Sequence, residues 1–141
     1  MNLRQANQND FNFVANSYLK SYRHGPETKH LINDIYFDVY KERLNKMLDS
    51  GQVTVACSPE DPDQILGYLI HGLAHGKSVL HYIYVKHTFR RLGVARALLA
   101  ATIPEFGMRM TMCTHTARRF NDLRDKYKLI YSPDLINGNT K

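Results

Sequence analysis

At 141 residues the chain has the length of one domain, large enough to bury a core without staples. Hydrophobic residues make up 43% and charged residues 23%, an ordinary globular balance, and no apolar run approaches the ~18–20 residues a membrane span needs. The net charge of +6 favours anionic ligands, while two cysteines, Cys57 and Cys113, exclude a disulfide framework and a Cys-x-x-Cys metal site.

Residues 1–7 lack the apolar core of a signal peptide, so a cytoplasmic location with reduced thiols is expected. A first strand is predicted over 2–6. Asn9 or Asp10 then caps a helix over 10–22, with Phe11, Val14, Ala15, Tyr18, Leu19 and Tyr22 as its apolar face. Gly25 and Pro26 punctuate a loop over 23–27. A second helix over 34–49 buries Ile35, Val39, Leu44 and Leu48, and Ser50 with Gly51 stops it. Strands over 52–57 and 64–71 flank a polar turn at 58–63; a turn over 72–77 leads to a strand over 78–86. Cys57 and Cys113 both fall in predicted strands, as small core residues. A helix runs from Val94 to about 106, kinked or ended early by Pro104. Then come a strand over 109–114, a basic helix over 116–126 with Phe120, Leu123 and Tyr127 on one side, and a short strand over 129–131. The tail, 132–141, is polar, and the chain contains no internal repeat.

Between the strand at 78–86 and the helix from Val94 stands the run Arg90, Arg91, Leu92, Gly93, Val94, Ala95. Gly93 and Ala95 are small where the helix begins, so a ligand can approach the backbone closely. The first N–H groups of a helix have no partners within it, and the macrodipole makes them partially positive. With Arg90, Arg91 and Arg96 beside them, they make a site for a phosphate or pyrophosphate.

The spacing Arg-x-x-Gly-x-Ala, between a strand ending at Val85 and an Ala/Leu-rich helix, resembles the acetyl-CoA-binding core of the GNAT acyltransferase superfamily. The resemblance covers about residues 2–131 and implies an α+β fold: a mixed, mostly antiparallel sheet of six or seven strands flanked by about four helices, in a single domain over 1–141. It implies that acetyl-CoA is held by Arg90, Arg91, Leu92, Gly93, Val94, Ala95 and Arg96, and that backbone of Tyr84 and Val85 pairs with the pantetheine arm. The reaction implied is acetyl transfer to a primary amine, with no metal.

His81 is the expected proton acceptor, since an imidazole titrates near 6.5 and relatives that acetylate arylalkylamines carry a histidine there. Counting back from Val85 places Ile83, His81 and Val79 on one face; other members place a glutamate where this chain has Val79. Tyr22, His24, Tyr36 and Tyr40 are the expected acceptor-binding residues, because the first two helices form a wall of that site in the family. One departure stands out. Where many members have a tyrosine acid, this chain has Arg124, which cannot donate a proton near neutral pH, leaving Tyr127, Tyr131 or solvent to reprotonate the thiolate. His71, His75, His87 and His115 lack metal spacing. A monomer or homodimer is expected, with neither nucleic acid nor membrane as partner. The alternatives are a non-catalytic acyl-CoA-binding module and a basic nucleic-acid-binding protein, the latter suggested by Arg118, Arg119, Arg124, Lys126 and Lys128.

Overall fold

Val53 and Val55 alternate with Gln52 and Thr54, and Tyr68 and Ile70 with Gly67 and Leu69, the period-two pattern of strands. The computed structural model, which describes residues 1–23, 28–103, 111–115 and 129–132, turns these patterns into one sheet. Its strands lie side by side in chain order: β1 (Asn2–Gln5), β2 (Gln52–Cys57), β3 (Ile65–Ala74), β4 (Lys77–Val85), β5 (Thr111–Cys113) and β6 (Leu129–Tyr131). Pairing is antiparallel from β1 through β4 and parallel from β4 through β6. Helices α1 (Phe11–Tyr22) and α2 (Asn33–Ser50) precede β2, and α3 (Val94–Thr102) lies between β4 and β5. The mixed α+β architecture is the expected one. The predicted helix over 116–126, the basic cluster in and after it, and His24 lie outside the described residues.

The sheet separates two cores. On one face Val14, Tyr18 and Tyr22 of α1 and Tyr36, Tyr40, Leu44 and Met47 of α2 pack on Val53, Val55, Tyr68 and Ile70. On the other, Val94, Leu98 and Leu99 of α3 pack on Ala56, Leu69, Leu80 and Cys113. Cys57 and Cys113 are both buried free thiols.

Four local expectations need correction, each for a physical reason. Asp10 stands at the N-cap position of α1, but its carboxylate caps nothing there: it is taken by Arg4 at 2.7 Å and by the Asn7 N–H, while the Asn7 side chain accepts from the Asn9 N–H and caps the preceding 3-10 turn, Gln8–Asp10. In α2, Ile35 and Val39 are 49% and 40% exposed, and the buried stripe is tyrosine-led. Tyr36 stacks on Tyr40 at 4.9 Å and donates its hydroxyl to the Leu19 carbonyl, so large rings with a satisfied polar end displace the aliphatics. Strand β3 continues to Ala74, because His75 and Gly76, at φ 53° and 75°, form a two-residue hairpin turn. Finally, α3 ends at Thr102: Ile103 precedes Pro104 and is driven to φ −120°, ψ 101°.

Candidate active site

At the end of β4 the chain makes a single 3-10 turn, His87–Phe89, and Arg90 Nε reaches back 2.9 Å to the Val85 carbonyl. Arg91 at φ 65° and Gly93 at φ 83° then swing the chain into α3. A left-handed arginine costs of order 1 kcal/mol, a strain that accumulates at functional turns. Helix α3 begins at Val94, buried with Leu98 and Leu99, so its N-terminus is anchored from behind. In front, Arg90, Arg91, Leu92, Gly93 and Arg96 are exposed, and no side chain among the described residues caps the helix. A Cβ built on Gly93 would meet nothing within 4 Å. The first intrahelical bond runs from the Ala97 N–H to the Gly93 carbonyl, so the amides of Val94, Ala95 and Arg96 precede it, and with three exposed arginines in the same run they suit a phosphate or pyrophosphate.

Upstream, the β4–β5 ladder pairs Val79 with Met112 and Leu80 with Cys113, and the Thr114 N–H donates to the Leu80 carbonyl. His81 follows at once, and here the register breaks: His71 opposes Leu80 while Ile70 opposes Tyr82. His81 is the extra residue of a β-bulge. Strict alternation would set it with Ile83 and Val85 on the α3 side, but Leu80 occupies that side. His81 instead lies on the α1/α2 side, where Gly72 makes room for it; a Cβ there would stand 3.1 Å from His81 Nε2. The face assignment made by counting is thus overturned by the bulge.

His81 is 1% exposed, its Nδ1 is 3.0 Å from Thr114 Oγ1, and its Nε2 is buried without a hydrogen-bond partner among the described residues. Thr114 Oγ1 also meets His115 Nδ1 at 2.9 Å, and His115 Nε2 meets Tyr18 Oη at 2.7 Å. Burial, with His71 nearby, pushes the His81 imidazole down to about 4. Burial, with His81 and Arg43 adding to it, pushes His115 down to about 3. Both rings are neutral at pH 7. Unfolding returns each to about 6.5, so the unfolded chain binds protons first as pH falls. Stability is therefore complete above pH 6.5 and declines from there towards pH 4, at about 1.4 kcal/mol per pH unit for each ring. Urea-unfolding midpoints should drop between pH 7.5 and pH 5; a constant midpoint would contradict neutral burial of the pair.

Tyr84 and Val85 are half-buried at the end of β4, on opposite faces: the Tyr84 ring tilts against Tyr68 at 5.6 Å, and Val85 packs on the α3 side. Tyr22, Tyr36 and Tyr40 are buried side chains, 2%, 0% and 4% exposed. They form an aromatic cluster that reaches His115, with Tyr22 centred 4.9 Å from its ring and 5.3 Å from Tyr40. The structure thus gathers His81, Thr114, His115 and Tyr18 beside the point where β4 and β5 stop pairing. Sequence reading missed Thr114 as a partner and gave His115 no role. The available signal was that Thr114 ends the strand predicted over 109–114, with His115 directly after it. Among the described residues no group of histidine, cysteine and carboxylate side chains could hold a metal. No described helix is long and apolar enough to cross a membrane.

Known proteins share this fold. The family described as acetyltransferase (GNAT) domain matches residues 25–127. A structure of histone acetyltransferase HPA2 and related acetyltransferase from Corynebacterium glutamicum is 16% identical, with 87% of this chain and 81% of that chain covered and a TM-score of 0.57. A ribosomal-protein-alanine N-acetyltransferase from Brucella melitensis is 24% identical over 74% of this chain and 66% of that one, with a TM-score of 0.50. These likenesses concern the fold. No curated protein matches the sequence.

Proposed function

The chain belongs to the GNAT acetyltransferase family, and we propose that it transfers an acetyl group from acetyl-CoA to a primary amine. One observation carries the reading: an anchored helix whose uncapped N-terminus opens at a left-handed glycine, flanked by exposed arginines. The amides of residues 91–96 hold the pyrophosphate, with Arg90, Arg91 and Arg96 adding charge. Backbone of Tyr84 and Val85, beyond the last paired residues of β4 and β5, holds the pantetheine arm as an added strand would. Acetyl-CoA supplies the activated acyl group. The chain orients it, and His81 takes the amine proton or orders the water that takes it. Tyr22, His24, Tyr36 and Tyr40 belong to the acceptor wall, the buried tyrosines shaping it from behind.

Heat denaturation with and without acetyl-CoA tests the reading, since ligand at 100 times its dissociation constant adds about 2.7 kcal/mol. CoA release with a panel of amines then separates an enzyme from an acyl-CoA-binding module. A salt-sensitive affinity for DNA or RNA without an acetyl-CoA shift would overturn the proposal.

Arg91 supplies charge, not chemistry. Its φ of 65° makes Arg91→Gly a clean test, because glycine removes the guanidinium without adding strain. The apparent KM for acetyl-CoA should rise about tenfold, the size of one charge-assisted contact, with kcat nearly unchanged. A collapse of kcat at unchanged KM would show that Arg91 acts on the reacting atoms.

A further inference from the structure

The hydrogen-bonded chain Tyr18–His115–Thr114–His81 has a direction. Thr114 has one hydroxyl proton and two imidazole Nδ1 atoms within 3.0 Å, so it donates to one ring and accepts from the other. If it donates to His81, then His81 carries its proton on Nε2, His115 carries its proton on Nδ1, and His115 Nε2 accepts from the Tyr18 hydroxyl. If it donates to His115, then His81 carries its proton on Nδ1, and His115 Nε2 donates to the Tyr18 oxygen.

The two directions are not equivalent. His115 Nε2 is the hydrogen-bond partner of Tyr18 Oη, and His81 Nε2 has none among the described residues. The first direction leaves one group unsatisfied, the Nε2–H of His81. The second leaves two without a partner among the described residues, the Tyr18 hydroxyl proton and the bare Nε2 of His81. An unsatisfied buried polar group is costly, so the chain runs from Tyr18 to His81.

We propose that Tyr18, His115 and Thr114 are positioning residues that hold His81 in its Nε2–H tautomer. His81 then presents an N–H and no free basic nitrogen, and it serves the acetyl transfer as a hydrogen-bond donor, not as the group that takes the amine proton. The inference rests on the acetyltransferase reading for its role in transfer, but the tautomer assignment does not. In proton terms, the ammonium loses its proton to solvent before the amine attacks, and the Nε2–H bond of His81 stays intact. The Nδ1 atom, the other place where neutral His81 could take a proton, is occupied by the Thr114 hydroxyl.

Ring nitrogens with and without a proton are distinguished by 15N chemical shift, so the full chain labelled with 15N-histidine tests this at pH 7.5. Signals are assigned by their loss in His81→Gln and His115→Gln. The wild-type protein should show a proton on Nε2 of His81 and on Nδ1 of His115. In Tyr18→Phe both directions leave one donor and one acceptor unpaired, so both rings should populate two tautomers. An Nδ1 proton on wild-type His81 would overturn the proposal, as would unchanged tautomers in Tyr18→Phe. The wild-type spectrum decides even if that variant does not fold. An acetyl-CoA thermal shift on the same sample separates the two readings: its absence removes the acetyltransferase function, while a failed tautomer prediction with the shift intact removes only the proton chain.

Discussion

Gly93→Val should abolish the thermal stabilisation by acetyl-CoA while leaving the fold standing. Gly93 is at φ 83°, a conformation that costs a β-branched residue about 1–2 kcal/mol. That is the whole expected folding penalty, because a Cβ there meets nothing within 4 Å. The open space, however, lies before the first amides of α3, and the valine methyls would fill the place of the pyrophosphate. The chain contains its own control. Gly76 is at φ 75° with equally open surroundings, in the hairpin at the other end of β4, nine residues and about 25–30 Å from the site. Gly76→Val should lower Tm by a similar amount and keep the full acetyl-CoA shift. Undiminished affinity in Gly93→Val, measured by calorimetry, would sink the assignment of the loop; equal loss in both variants would trace it to strain.

The geometry of the loop over 90–96 was legible because it is contiguous: exposed arginines and a glycine at a helix start need only a strand before them and a helix after them. Strand positions were legible for a related reason, since alternation in residues such as Val53 and Val55 is a local property. Helix α2 was misread in register. Ile35 and Val39 are more hydrophobic by composition, yet Tyr36 and Tyr40 win the interior by burying larger rings that stack on each other, Tyr40 also tilting against Tyr22 of α1.

His81 marks the limit of counting. Parity along β4 is reliable only while the ladder is regular, and one inserted residue reverses it. No residue type near His81 announces the bulge. The hydrogen-bonded chain was still less visible, because Tyr18 and His115 are 97 positions apart and meet only when α1 is laid across the sheet. Thr114 and His115 gain their roles from ending β5 beside the bulge. What sequence could do was place a titratable residue next to the expected cleft. What it could not do was say which of its nitrogens is free.

That question sets the expected outcome at His81 itself. His81→Ala should bind acetyl-CoA with nearly wild-type affinity, since the ring lies in β4 away from the 90–96 loop, and should lose about 10²–10⁴-fold in kcat. His81→Gln separates the two ways of losing that rate. A glutamine amide can present an N–H near the place of Nε2, so a hydrogen-bond donor is partly replaced. A proton acceptor is not, because the amide has no basic nitrogen. The glutamine variant should therefore recover at least tenfold over alanine. Glutamine also fills most of the imidazole volume beside Gly72, so a recovery in kcat that is matched by a recovery in Tm alone would indicate packing. The acetyl-CoA shift, measured on each variant, keeps folding and chemistry apart. Equal rates for alanine and glutamine, both far below wild type, would return His81 to the role of base; a wild-type rate in His81→Ala would remove it from the reaction altogether.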